Sequence, residues 1–230
     1  EHPGWVFAAD EVAHAIILEQ LSLFKNPSAF DNLRPGFLTP SLLRSPVTTI
    51  MVVAMIIGAP LTSGFESFEF GEVFVQMIFA GEEGSPFDSG EYWRLFTPVL
   101  LHFGLEHLAF NLIGFCIVAV RLEPAIGSFT FLALCVAAAA VGNVAQFIFG
   151  NALFFGGMSG VVLALVGFGL IWRALWPTRD IGLPSGIYVV CVLVTVVGFT
   201  GILDGLTGGR ALANWVHLGG LLTGMGMGLL

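Results

Sequence analysis

The chain has 230 residues, of which 56% are hydrophobic and 10% are charged, and its formal net charge is −8. Soluble domains carry about 25% charged residues, so the composition excludes an ordinary soluble domain and predicts a protein of the lipid bilayer. Nucleic acid is excluded as a partner, because phosphate binding needs clustered Lys and Arg and the eight such residues here are scattered.

Residues 1–43 precede the first long apolar stretch, and we expect them to form a separate cytoplasmic or interfacial segment. Within it, apolar residues at helical spacing over 10–24 predict one short amphipathic helix. Residues 44–230 follow as one domain, with six apolar stretches that approach the roughly 20 residues needed by a membrane-spanning helix. The predicted spans are 46–61, 100–120, 126–149, 158–171, 185–203 and 211–230.

A long acidic loop, residues 64–94, separates the first two spans and is rich in Phe. Aromatic residues with polar flanks favour the membrane interface, so we expect part of this loop to lie in the headgroup layer. Six of the eight basic residues fall on one side of the membrane if both termini share that side. Because cytoplasmic loops carry the excess of Lys and Arg, both termini are predicted inside and the acidic loop outside.

Five polar side chains stand out because they lie in apolar stretches: His102, His107, Asn111, Ser159 and His217. Ionisable and polar groups are expensive inside a bilayer and mark functional candidates. The three cysteines also lie in apolar stretches, but an odd, buried set indicates packing residues rather than disulfides or a metal site. These cysteines are Cys116, Cys135 and Cys191. No cofactor is predicted.

The fourth apolar stretch is short, and its length predicts the depth of Ser159. Residues 158–171 span only about 21 Å at 1.5 Å per residue, against a hydrocarbon core of about 30 Å. The Ser159 end should therefore stop below the outer surface, beneath a water-filled cavity. His107 precedes Arg121 by the same interval at which Ser159 precedes Arg173. If both arginines mark the inner interface, His107 and Ser159 lie at one level.

Glycines at helical spacing follow His217 and predict a close helix contact. The stripe consists of His217, Gly220, Gly224 and Gly228. Small residues three or four positions apart let two membrane helices approach closely. The fourth stretch offers a matching small face, so packing of these two helices would bring His217 to Ser159. That face consists of Gly160, Ala164 and Gly167.

This arrangement permits nucleophilic catalysis. A serine hydroxyl needs an adjacent base, which His217 can supply, and the absence of a nearby Asp or Glu predicts a dyad. Ser159 opens a helix, whose free N–H groups and partial positive charge can stabilise an oxyanion. Asn111 and His107, at the same depth, can donate further hydrogen bonds to it.

Five motifs in this order resemble the rhomboid family of intramembrane serine proteases. They are Trp93-Arg94, His102-Phe-Gly-Leu-Glu-His107-Leu-Ala-Phe-Asn111, Glu123-Pro-Ala-Ile-Gly127-Ser128, Gly157-Met-Ser159-Gly160 and His217-Leu-Gly-Gly220. The resemblance covers about residues 44–230. It implies a six-transmembrane-helix bundle with a membrane-interface first loop and a short central fourth helix.

The resemblance also assigns roles to residues. Ser159 is the nucleophile and His217 the base. The oxyanion hole is formed by Asn111, His107 and the N–H of Ser159, and the supporting residues are His102, Gly157 and Gly160. Trp93 and Arg94 belong to a structured first loop, and Glu123 to a polar lock near the inner interface.

The implied activity is cleavage of single-pass transmembrane proteins near the outer end of their helix, through an acyl-enzyme and without a cofactor. The implied location is a bacterial inner membrane, with the active-site cavity open to the periplasmic side. One position departs from the family pattern: Leu163 stands where Tyr often stacks on the catalytic histidine. We expect Leu163 still to pack against His217. For substrate entry, the glycine-rich outer end of the fifth span is a better candidate gate than the first loop.

Other interpretations are weaker. A catalytically silent relative usually lacks the serine or the histidine. A channel or transporter is expected to show charged midplane residues and repeated halves. A zinc protease needs His-Glu-x-x-His, and an aspartyl protease needs two membrane aspartates; only Asp204 comes near a span.

Overall fold

A computed structural model describes residues 44–62, 72–81, 84–150, 154–179, 181–202 and 212–230. Over these ranges the chain is all-α, without a β-strand, as the sequence predicts. Within the described residues, six long helices follow one another: α1 (Pro46–Thr62), α2 (Leu105–Ile126), α3 (Ser128–Phe149), α4 (Ser159–Leu175), α5 (Ser185–Gly198) and α6 (Asn214–Met227). The predicted helix over 10–24 and the rest of segment 1–43 lie outside the described residues.

The start of α2 differs from the predicted span, which placed it at residue 100. Gly104 has φ of 128°. This value lies outside the helical range, and only glycine adopts it easily, so the helix begins at Leu105. The residues before it form a 3-10 turn, Thr97–Leu100, and a short connection. His102 therefore precedes α2 rather than lying on it.

Other helix ends also correct the predicted spans. α2 continues past Arg121 to Ile126, so that arginine does not end the helix. α4 reaches Leu175 and, with 17 residues, is about 26 Å long, still shorter than a hydrocarbon core. α5 ends at Gly198 instead of 203, because the chain tightens into turns in which the Thr200 N–H donates to the Val197 carbonyl at 2.9 Å.

Helix α4 lies at the centre of the described bundle, with nearly all of its side chains from Gly160 to Gly169 buried. α6, α2 and α3 pack on it directly, α1 packs mainly on α2, and α5 packs on α4 and α6. Phe115, Phe131 and Leu165 are fully buried in the core between these helices.

Apolar side chains are exposed on the outer faces of several helices, including Ile56 of α1, Phe129 of α3 and Val190 of α5. Exposed apolar surface of this extent is unusual in soluble monomers and fits contact with lipid. Among the described residues, α2 and α3 are the two helices long and apolar enough to cross a membrane by length and composition.

The close contact predicted between the fourth and sixth spans is present between α4 and α6. A methyl group on Gly220 would overlap the carbonyl oxygen of Gly160, and one on Gly224 would overlap that of Ala164. On α4, a methyl group on Gly167 would lie 2.5 Å from the carbonyl oxygen of Leu221. The two backbones therefore touch along their length, with no room for side chains between them.

The carboxylate of Glu123 on α2 forms the polar lock and ties three helices together. It accepts from the N–H groups of Val47 at 3.0 Å and Thr48 at 2.8 Å, and from the hydroxyls of Thr48 and Ser128 at 2.7 Å each. The first N–H groups of a helix have no partner inside it, and a negative charge there is favourable. Glu123 thus caps α1 and holds the start of α3.

Replacing Glu123 with Leu is expected to lower the free energy of unfolding by about 3–5 kcal/mol, because its buried donors lose their acceptor. Glu123→Gln, which keeps one acceptor oxygen, should lose less. Unfolding in detergent micelles measures both, with Glu106→Gln as the control, since Glu106 is an exposed carboxyl on the same helix. A Glu123→Leu protein as stable as the wild type would show that the hydrogen bonds of Glu123 do not stabilise the fold.

Candidate active site

Ser159 and His217 form a hydrogen-bonded pair where α4 and α6 begin. The Ser159 Oγ lies 2.8 Å from the His217 Nε2. Ser159 is the first residue of α4, and His217 lies in the first turn of α6 and is 6% exposed. Within the described residues the His217 Nδ1 has no hydrogen-bond partner. The hydroxyl can donate to Nε2 when the ring proton is on Nδ1, and no carboxylate among the described residues accepts from that Nδ1.

Side-chain nitrogens of His107 and Asn111 face the backbone of Gly157, two residues before Ser159. A methyl group on Gly157 would lie 2.7 Å from the His107 Nε2 and 3.6 Å from the Asn111 Nδ2. Gly157 also has φ of 115°, which other residues rarely adopt. Glycine is thus required here both for the backbone conformation and for the space in front of the two nitrogens.

Both nitrogens can act as donors. The Phe103 N–H donates to the His107 Nδ1 at 3.3 Å, so in the neutral ring the proton is assigned to Nε2, the nitrogen beside Gly157. The Asn111 amide donates one proton to the carbonyl of His107 at 2.9 Å. An amide carries two donor protons, which leaves one for a substrate oxygen.

His102 and Gly160 lie next to these groups. The His102 ring is 1% exposed, its Nδ1 lies 3.1 Å from the carbonyl oxygen of Leu100, and its centroid is 5.2 Å from that of His107. It packs beside His107 from the segment before α2. Gly160 leaves room for the backbone of Val216, whose carbonyl oxygen would lie 3.1 Å from a methyl group on Gly160. The structure therefore brings together all the residues predicted for the site.

Buried polar contacts hold the first loop and the segment that joins it to α2. Arg94 is 3% exposed and donates to the carbonyls of Val75 at 2.7 Å and Ile78 at 2.9 Å, and to Glu91 at 2.7 Å. The Gly157 N–H donates to the carbonyl of Pro98 at 2.9 Å. The described part of the loop is therefore held by buried polar contacts.

A short helix in the same loop, Pro86–Ser89, is capped by its own carboxylate. Ser85 donates its hydroxyl to Asp88 at 2.6 Å and its N–H at 3.1 Å. These hydrogen bonds, the hydroxyl first, hold the pKa of the Asp88 carboxyl below its ordinary value. The charged form of Asp88 is thereby favoured in the loop.

Two buried polar residues of α3 were not among the predicted candidates. The Asn143 amide donates to the carbonyl of Leu95 at 2.9 Å, and the Gln146 carboxamide oxygen accepts from the N–H groups of Trp215 and Val216 at 3.1 and 3.3 Å. Both are buried, at 2% and 3% exposure. Their position inside an apolar stretch is the same signal that identified Asn111 and the histidines, and applying it to the third stretch would have found them.

Helix α5 is held at its two ends. At one end, Arg173 donates to the Ser185 hydroxyl at 3.2 Å and lies over the Tyr188 ring at 5.9 Å; at the other, Asn214 donates to the Gly198 carbonyl at 2.8 Å. Several of the glycines on which the gate prediction depends fall in residues 203–211, outside the described part, so the gate stays a prediction. Leu163 is buried, and its contact with His217 also stays a prediction.

The comparisons with known proteins agree with this architecture. A family model described as the Rhomboid domain matches residues 89–230, more than half of the chain. The chain therefore belongs to the rhomboid family, as its motifs predict.

The chain is also similar to bacterial proteins named rhomboid protease GlpG, which agrees with the resemblance to rhomboid proteases that the motifs indicate. The protein from Serratia proteamaculans (strain 568) is 39% identical over 143 residues, covering 61% of this chain and 49% of that protein. The one from Yersinia pestis (strain Pestoides F) is 32% identical over 162 residues, covering 66% and 56%. The chain thus spans about half the length of the curated relatives it matches.

Proposed function

We propose that this chain is an intramembrane serine endopeptidase that cleaves single-pass transmembrane proteins. The observation that carries the proposal is the distance of 2.8 Å between the Ser159 Oγ and the His217 Nε2, in a pair enclosed by apolar helices. A serine and a histidine in hydrogen-bond contact are the minimum for an activated hydroxyl. Membership in the rhomboid family and similarity to proteins named rhomboid protease support the same reading.

The reaction proceeds in two steps. His217 takes the proton from the Ser159 hydroxyl through Nε2 while Oγ attacks the scissile carbonyl carbon. The oxyanion so formed accepts hydrogen bonds from the His107 Nε2–H, the Asn111 amide and the N–H of Ser159. The protonated His217 then gives its proton to the leaving amine, which releases one product and leaves an acyl-enzyme. Water, activated by the same histidine, attacks the ester and frees Ser159.

The six long helices are the membrane spans of this enzyme. Both termini of the 44–230 domain face the cytoplasm, since most basic residues then lie on that side, and the enzyme resides in a bacterial inner membrane. Ser159 opens α4, which at about 26 Å is too short for the core. The site therefore lies below the outer surface in a cavity open to the periplasm, where it meets the outer end of a substrate helix.

Cleavage of a single-pass substrate in liposomes tests this proposal. The wild-type chain should cut the substrate near the outer end of its helix, and Ser159→Ala should produce no cut above background. Equal cleavage by both proteins would mean another nucleophile. Failure of the wild type on a panel of single-pass substrates would contradict the proposed activity.

The two side chains proposed to donate to the oxyanion can be tested by substitution. Asn111→Ala and His107→Ala should each lower kcat by about 10²–10³-fold with a smaller change in KM, because these donors act mainly on the oxyanion of the transition state. Phe110→Ala is the matched control, since Phe110 is 77% exposed on the same helix, and its kcat should stay within about twofold of wild type. If both variants instead raise KM and leave kcat unchanged, these residues act in substrate binding.

A further inference from the structure

The start of α6 receives its cap from another helix. The first N–H groups of a helix have no partner inside it, and Ala213, in the capping position before α6, makes no side-chain cap. Gln146 of α3 supplies the acceptor, because its carboxamide oxygen lies 3.1 Å from the Trp215 nitrogen and 3.3 Å from the Val216 nitrogen. These are the two residues that precede His217.

The start of α6 lies against glycines of both α3 and α4. The Val216 carbonyl oxygen would lie 3.0 Å from a methyl group on Gly142 of α3 and 3.1 Å from one on Gly160 of α4. A helix wedged between two glycine surfaces approaches both closely. A hydrogen bond depends on both distance and angle, so the Gln146 oxygen adds a directional constraint on the height and rotation of the start of α6.

We infer that Gln146 is a positioning residue for the Ser159–His217 pair, an inference that rests on the proposed function. By fixing the two N–H groups just before His217, its carboxamide holds the imidazole where Nε2 meets the Ser159 Oγ at 2.8 Å. Misplacement of a reacting group by about 1 Å can cost roughly 10²-fold in rate. Gln146 itself contacts neither the hydroxyl nor the imidazole in any hydrogen bond of the described residues.

Two substitutions separate capping from packing. Gln146→Met keeps a side chain of similar length but removes the acceptor, whereas Gln146→Glu keeps an acceptor oxygen and adds a charge that a helix start favours. The matched control is Gln76→Met, since Gln76 is exposed on the short helix Glu72–Met77.

The first readout is the rate at which a fluorophosphonate labels Ser159. Gln146→Met should be labelled about tenfold or more slowly than wild type, with kcat for cleavage falling in parallel and KM nearly unchanged. Gln146→Glu and Gln76→Met should stay within about threefold of wild type. The inference is overturned if Gln146→Met is labelled as fast as the wild type, or if Gln146→Glu is labelled as slowly as Gln146→Met. If Gln146→Met does not fold, the labelling rate of Gln146→Glu decides. A rate within about threefold of wild type supports the inference, and a rate slower by about tenfold or more overturns it.

The second readout does not depend on catalysis. Hydrogen exchange at the Trp215 and Val216 amides should accelerate about tenfold or more in Gln146→Met and stay protected in Gln146→Glu. Unchanged exchange in Gln146→Met overturns the cap. Faster exchange with unchanged labelling overturns the positioning role. If the wild type is not labelled at all, the proposed function fails, and the exchange experiment still reports separately on the cap.

Discussion

Replacing His217 with Ala is expected to lower kcat for substrate cleavage by roughly 10⁴-fold or more, because the Ser159 hydroxyl then has no base to take its proton. The Ser159 Oγ lies 2.8 Å from the His217 Nε2, so His217 is the base in hydrogen-bond contact with the hydroxyl. The matched control is Leu222→Ala, an exposed position on the same helix, which should keep kcat within about twofold.

The stability of the same variant separates a catalytic role from a structural one. The His217 Nδ1 is buried and has no partner among the described residues, so the imidazole contributes little hydrogen bonding beyond its bond to Ser159. We therefore expect His217→Ala to stay folded and to lose about 1–3 kcal/mol of the free energy of unfolding, mainly through the cavity left by the buried ring. An inactive protein that is also severely destabilised would indicate that His217 is needed for folding. Retention of a tenth or more of wild-type kcat would exclude it as the base.

Gly224→Ala is expected to lower the free energy of unfolding by about 3 kcal/mol, because one methyl group cannot fit between the backbones of α4 and α6. It would overlap the carbonyl oxygen of Ala164, and backbone atoms cannot rotate away as a side chain can. The intrinsic preference of Ala over Gly in a helix, up to about 1 kcal/mol, acts in the opposite direction and is too small to compensate.

Gly226 provides the control for this prediction on the same helix. A methyl group on Gly226 would meet nothing within 4 Å, so Gly226→Ala should leave stability unchanged or slightly raised. Thermal unfolding of the two variants in the same detergent makes the comparison. Equal melting temperatures would contradict the contact between the α4 and α6 backbones on which the active-site geometry depends.

The pairing of Ser159 with His217 could be anticipated from the sequence because its determinants are local. Polar residues in apolar stretches identify the candidates, and the spacing of Gly220 and Gly224 defines a helix face without any knowledge of tertiary structure. The shortness of α4 also follows from a local quantity, the number of apolar residues in the stretch, whereas its central position was implied only by the family resemblance.

The remaining features depend on long-range contacts or on backbone conformation. Glu123 hydrogen-bonds Thr48 across 75 positions of sequence, and Gln146 hydrogen-bonds Val216 across 70; no spacing rule relates such residues. The start of α2 was misplaced because Leu100, Leu101 and Phe103 extend the apolar stretch back to residue 100, whereas the backbone at Gly104 is not helical. His102 was consequently expected on the helix, although it packs beside His107 from the preceding segment.

The most direct test of the central claim is to identify the residue that a fluorophosphonate modifies in the reconstituted wild-type protein. Peptide mapping by mass spectrometry should find one adduct, on the Ser159 Oγ, and His217→Ala should slow its formation by about 10³-fold or more. An adduct on another residue, or equal labelling rates for the wild type and His217→Ala, would contradict the assignment of Ser159 and His217 as an activated pair.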